Sequence, residues 1–492
     1  MMSDLSQMNI VNIGLNGTFR ETGEQHTQPR DIDSLFEHLS ATRPQKIVLY
    51  FHGGLVNEQN GRETAERMTN LFQEEAYPVA FVWKTGFKEI LQQKLNAIYN
   101  SGLFKKVEKY VSFRSSNHLS ADIKGGGHRG AGQAMTVEEI ERELQQENPF
   151  QQFDEVARQG AGQLNQPDLK NIYTQLLEEL QRDLDQDQQF TDLLHNYTFE
   201  DLSPPELAGI EERETELEQR RGGFITLRIL ATVAFNVIKR YWQKRDHGYY
   251  PTVVEETLRT IYANYFGKFI WDQMKNKAKG MWQPNQGEIN GDSYVGTYFL
   301  EKLVSLKQQR PELIIDLVGH SAGTICICHL INAINERYSD LKIRNVLFMA
   351  PACTSDLFYE NIVTKTNLYQ NFRMFTMGDG LEIRDSLVPG IYTRSLLYFI
   401  SGVLEDTADK PIAGLEFHLN RQSSGEHNAF ENYGDDDRKL RAIRSFLTQD
   451  SNRLVLSPTT TANPGLNSNS GHHGDFDSDE TTLQSLRAII SS

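Results

Sequence analysis

The pentapeptide Gly319-His320-Ser321-Ala322-Gly323 sits between two apolar runs, LIIDLV at 313–318 and TICIC at 324–328. A serine held between two glycines at the end of a β-branched run has two uses. It can close a tight turn, or it can present a hydroxyl as a nucleophile. Glycines on both sides remove side chains where a strand and a following helix approach closely. A nucleophile elbow needs that arrangement, with the hydroxyl at the helix N-terminus, where developing negative charge is favoured. A G-x-S-x-G match alone arises by chance in roughly a sixth of chains with this length and glycine content. The chemistry must therefore be argued from the rest of the chain.

A serine hydroxyl is a weak nucleophile near neutral pH. It needs a base, an acid that orients the base, and donors for the oxyanion. Beyond RMFTMGD (373–379) comes Asp385, in the loop segment DSLVP, with Asp379 as the alternative acid and Glu382 between them. Beyond GLEFHLN (414–420), the loop RQSSGEHNAFEN brings His427 just ahead of a predicted helix. The other histidines read differently. His418 lies inside a predicted strand and reads as packed, while His472 and His473 fall in a polar tail. Upstream, KIVLYF (46–51) runs into His52-Gly53-Gly54, whose bare backbone can offer an N–H to an oxyanion; the N–H of Ala322 can offer the second. His52 reads as a loop-bracing residue and His320 as a residue lining the site.

Glycine loop, Ser, Asp and His thus occur in that chain order, and here the sequence resembles the α/β-hydrolase superfamily, in its lipase-like and esterase-like members. The resemblance rests on HGG at 52–54, GHSAG at 319–323, DSLVP at 385–389 and the stretch from His427, within 46–86 and 287–435. It implies Ser321 as nucleophile, His427 as general base, Asp385 as orienting acid, and the backbone amides of Gly54 and Ala322 as the oxyanion hole. It implies acyl transfer to water through an acyl-enzyme, with no metal and no organic cofactor.

The elements that must position these residues alternate. KIVLYF (46–51), YPVAFVWKTG (77–86), ELIIDLVG (312–319), RNVLFMA (344–350), RMFTMGD (373–379) and GLEFHLN (414–420) read as strands. NEQNGRETAERMTNLFQEE (57–75), SYVGTYFLEKLVSLKQQ (293–309) and AGTICICHLINAINERY (322–338) read as helices. Apolar strands alternating with helices predict an α/β fold with a mostly parallel sheet, here of α/β-hydrolase type. Residues 87–286 are rich in Gln, Glu and Lys and helical in pattern, as in MTVEEIERELQQ (135–146) and LKNIYTQLLEELQRDLDQ (169–186). They read as a large helical cap or lid inserted between the core segments 1–86 and 287–450. The tail 451–492 is Ser-, Thr-, Asn-, Gly- and Asp-rich and is expected to be disordered, apart from a short amphipathic helix in TTLQSLRAIISS.

The 492 residues carry a net charge of −16, which argues against generic nucleic-acid binding. Three cysteines, Cys326, Cys328 and Cys353, lie in apolar segments and read as reduced, buried thiols. The N-terminus has no secretory pattern, and the chain reads as cytoplasmic. GGGHRGAG (125–132) lacks the ending of a phosphate loop, and IEERETELEQRR (210–221) reads as a solvated helix face. Basic and apolar residues alternate over 220–245 without an acid. That pattern fits a helix lying on an anionic membrane surface or one buried against the site.

The expected activity is hydrolysis of a carboxylic ester, with the large insertion favouring a bulky or lipid-like substrate. Two other readings remain: a catalytically silent ligand-binding module on the same fold, and a membrane-damaging lipase effector.

Overall fold

Strand periodicity splits the apolar runs between two cores. Along Lys46–Phe51, the side chains of Ile47, Leu49 and Phe51 enter one core and those of Val48 and Tyr50 the other. Val79, Phe81 and Trp83 join the first core, and Ala80 and Val82 the second. A strand buried on both faces belongs inside a parallel sheet covered by helices. The computed structural model describes residues 9–20, 26–53, 58–83, 87–123, 135–154, 169–184, 221–262, 268–419, 433–434 and 436–492.

The elements in chain order are β1 (Ile10–Ile13), α1 (Pro29–Thr42), β2 (Lys46–Phe51), α2 (Glu58–Phe72) and β3 (Tyr77–Trp83). A helical stretch follows: α3 (Phe87–Tyr99), α4 (Gly102–Ile123), α5 (Val137–Glu143), α6 (Leu169–Leu184), α7 (Arg221–Trp242), α8 (Tyr249–Ile261) and α9 (Lys268–Gly280). Alternation resumes with α10 (Val295–Gln309), β4 (Ile314–His320), α11 (Gly323–Arg337), β5 (Ile343–Met349), α12 (Ser355–Asn361), β6 (Tyr369–Met377) and α13 (Asp379–Glu382). The chain closes with α14 (Leu396–Phe399), α15 (Glu416–Leu419), α16 (Asp436–Thr448), β7 (Leu454–Ser457) and α17 (Glu480–Ser491). The seven strands form one sheet in the order β1-β3-β2-β4-β5-β6-β7, and every pairing is parallel. The protein is α/β, and β4, the strand that ends in the serine turn, is central.

The second core is roofed by two helices distant in sequence. Ala65, Met68 and Phe72 of α2 meet Leu483, Leu486, Ile489 and Ile490 of α17 over the sheet. The last turn of α17 is also held electrostatically. Lys46 Nζ donates to the carbonyls of Ile490 (2.8 Å) and Ser491 (2.7 Å), and Arg344 donates to Ile490 (2.8 Å). Cations at a helix C-terminus complement its dipole.

The ordered C-terminus corrects two expectations. GLEFHLN contains a short helix, α15, in place of the last strand; adjacent His418 and Leu419 are both buried, as a helical turn allows and a half-exposed strand does not. The last strand is β7, paired with β6, and it lies in the tail expected to be disordered. Among the described residues of 87–286, the apolar side chains of α7, such as Leu230, Val233, Val237 and Ile238, are buried among α4, α6 and α8. Its Arg240 pairs with Glu255 (2.8 Å) and Glu256 (3.0 Å) of α8. The described side chains of α7 thus leave no broad apolar face open for a membrane surface. No helix among the described residues is long and apolar enough to cross a membrane. GGGHRGAG (125–132) and 210–220 lie outside the described residues.

Candidate active site

At the end of β4 the chain turns from strand to helix within three residues. Ser321 takes φ = 50°, a left-handed conformation that side chains other than glycine rarely adopt. Its N–H continues the ladder to β5 by donating to the Met349 carbonyl at 2.8 Å, and its own carbonyl accepts from the N–H groups of Thr324 (3.1 Å) and Ala352 (3.2 Å). Gly323 is required by close approach: a Cβ there would meet the Phe51 carbonyl oxygen at 2.1 Å. At Gly319 the nearest obstacle is the tip of Ile327, at 2.7 Å. The strained serine is therefore clamped by backbone on both sides, as a presented nucleophile requires.

The imidazole that meets Ser321 belongs to His473. Its Nε2 lies 2.8 Å from Ser321 Oγ. His473 sits on the connection between β7 and α17, which polar side chains hold in shape. Asp475 Oδ2 accepts from the N–H groups of Gly471 (3.1 Å) and His472 (2.9 Å). Asp479 caps α17 by accepting from the Thr482 N–H at 2.9 Å, and Thr482 Oγ1 hydrogen-bonds with Ser468 and Ser470. His427 lies outside the described residues, as does Gly54. The residue at the serine thus belongs to the segment whose polar composition predicts a disordered tail. The one local signal is a His-His-Gly triplet beyond a short apolar strand, LVLS, and the polar composition around it masks it.

Asp385 comes to the same place. Its Oδ2 accepts from the His473 main-chain N–H at 2.9 Å, and its Oδ1 is 2.8 Å from Nδ1 of His472. Asp379 turns elsewhere, accepting from Tyr398 Oη at 2.5 Å. Between them Glu382 is fully buried; burial, with the Asp385 and Asp379 charges adding to it, pushes its pKa well above the usual carboxylate range. Ala322 is buried and immediately precedes α11, so its N–H is among those at the helix N-terminus beside Ser321.

Two more histidines line the site. His52 is buried, accepts the Trp83 N–H at Nε2 (3.0 Å), and is 2.6 Å from the Gly53 carbonyl at Nδ1. One nitrogen accepts and the other donates, so the ring is neutral, and burial lowers its pKa to about 4. It braces the glycine loop; a Cβ on Gly53 would sit 3.4 Å from that of Ser321. His320 lies on the other side, 3.1 Å from Asp477 Oδ2 and 3.1 Å from the His473 carbonyl. Together these groups enclose a cavity of about 220 Å³ whose walls include Ser321, His473, Asp385 and Gln92.

A separate buried cluster has the residue types of a metal site: His247, Asp409 and His418, with both Nε2 atoms 3.0 Å from Asp409 Oδ1. The hydrogen bonds argue for an ionic network instead. His418 Nδ1 accepts the Ile412 N–H at 3.2 Å, so the ring's proton is on Nε2, which donates to Asp409 and has no lone pair for a metal. His247 faces carboxylates at both nitrogens, Glu255 at 2.8 Å and Asp409 at 3.0 Å, and Arg245 holds the other Asp409 oxygen at 3.0 Å.

Compared with known proteins, the chain matches no family model, no curated protein and no solved structure.

Proposed function

We propose that this chain is a serine hydrolase that cleaves a carboxylic ester through an acyl-enzyme. The observation that carries the reading is the 2.8 Å approach of His473 Nε2 to Ser321 Oγ at a strained strand-to-helix turn. A sheet whose central strand delivers the serine, with a helical segment between β3 and β4, also supports an α/β-hydrolase-type core carrying a cap.

In the proposed cycle the Ser321 hydroxyl gives its proton to His473 Nε2 as Oγ attacks the ester carbonyl. The oxyanion is held by main-chain N–H groups, that of Ala322 and one from the glycine loop; each such donor contributes about 3 kcal/mol to the barrier reduction. His473 then protonates the leaving alkoxide. Water, deprotonated by the same nitrogen, releases the acid and restores the serine. Asp385 holds the main chain of the base in place. Pockets for drug-sized ligands run to about 300–1,000 Å³. A cavity of about 220 Å³, walled by Leu387 and Leu396 as well as by histidines and carboxylates, therefore favours a short acyl group over a long lipid chain.

A fluorescent fluorophosphonate, which labels only an activated serine, tests this. Labelling of the wild type that disappears in Ser321→Ala and His473→Ala supports the reading. A wild type inert to the probe would leave the same fold as a binding module.

A further inference from the structure

His473 is gripped by its own backbone as well as by its ring. Asp385 accepts its N–H at 2.9 Å, and His320 Nε2 faces its carbonyl oxygen at 3.1 Å. A carbonyl oxygen only accepts, so Nε2 of His320 donates. The other nitrogen of His320 faces Asp477 Oδ2 at 3.1 Å, and that carboxylate also accepts from Arg67 of α2 at 3.3 Å. Two oxygen acceptors on one imidazole are both satisfied only when the ring carries both protons. The His320 ring is buried, Asp477 is part-buried, and Arg67 closes the chain at the surface. His320 is also the residue before Ser321, so it joins the nucleophile's strand to the base's loop.

We infer that His320 and Asp477 form a positioning pair that fixes the base by its main-chain carbonyl, holding His473 Nε2 at the serine; this rests on the hydrolase reading above. The logic is geometric. The connection carrying His473 is irregular and polar, and its ring direction follows its peptide planes. Anchoring the N–H through Asp385 and the C=O through His320 fixes those planes on both sides. A base displaced by an ångström loses about 100-fold in rate.

The test is a double-mutant cycle with the fluorophosphonate probe on full-length protein: wild type, His320→Gln, Asp477→Asn and the double variant, with Ser321→Ala as blank and thermal unfolding measured alongside. Each single change is expected to slow the first-order labelling step about 10- to 100-fold while leaving apparent probe affinity unchanged. The double variant is expected to be no slower than the slower single. Asp477→Asn keeps shape and volume, so the pair remains readable even where His320→Gln fails to fold. Single variants within twofold of the wild type, or effects that multiply in the double, overturn the proposal while the hydrolase reading stands. An inert wild type overturns both.

Discussion

Ser321 Oγ and His473 Nε2 are 2.8 Å apart and 152 residues apart in the chain. One sits on the central strand and the other on a loop tethered by the C-terminal helix. The contact exists only because α17 docks on the same face of the sheet as α2.

His473 and His427 therefore separate cleanly by mutation. His473→Ala should lower labelling and ester hydrolysis by at least ~10⁴-fold, as removal of a serine's base does in such a unit. His427→Ala should leave both near the wild-type level. Rates measured side by side for the two variants decide it, and equal losses would contradict the assignment of the base.

The two elbow glycines should differ. Gly323→Ala drives a Cβ to 2.1 Å from the Phe51 carbonyl oxygen, which belongs to a central strand and has no room to move. A loss of about 3 kcal/mol or a failure to fold is expected. Gly319→Ala meets first a flexible isoleucine tip, and should cost about 1 kcal/mol. Urea unfolding of both variants gives the comparison.

Strain at Ser321 should be recoverable. At φ = 50°, Ser321→Ala keeps the Cβ and its strain, while Ser321→Gly removes both. The glycine variant should unfold about 1 kcal/mol later than the alanine variant, both being inactive. Calorimetry of the pair measures this; a glycine variant that is the less stable would mean the turn stores no strain.

Removing residues 480–492 should abolish labelling. That deletion takes away buried Leu486 and Ile490 and the carbonyls that Lys46 and Arg344 hold. A truncated protein that labels at the wild-type rate would show that α17 is dispensable for positioning His473.

The buried network sets a pH dependence of stability. Burial opposes charge on His247, but Glu255 and Asp409 outweigh it and raise its pKa above 6.5. A raised folded-state value means its contribution is complete below about pH 6.5 and is lost as pH rises through the folded value. Burial likewise works against charge on Glu255 and Asp409, yet their partners, His247 foremost, hold both pKa values low, so their contribution is lost as pH falls through those values. His247→Gln should cost about 3–5 kcal/mol near pH 6. The gap to the wild type in thermal unfolding should narrow as pH rises past 6.5; a gap that widens contradicts a charged His247.

The amino-acid sequence by itself determined what is local. The elbow is legible because strand, glycine, serine, glycine and helix are consecutive, and the β2, β3, β4, β5 and β6 runs are legible because burial on both sheet faces favours near-continuous apolar residues along most of their length. His52-Gly53 beside the serine follows from β2 pairing directly with β4. The contact of His473 with Ser321 was not legible. This histidine comes from a segment whose Ser, Asn, Asp and Thr content ordinarily marks disorder. Here those side chains replace an apolar core with hydrogen bonds to the backbone: Asn467 N–H to Ser485 Oγ at 3.0 Å, Asn469 N–H to Asp479 at 2.9 Å, Asp475 to the turn before His473. Short polar side chains stabilise turns and disordered chains alike, and only the tertiary docking of α17 decides which. The same docking brings His473 to the serine.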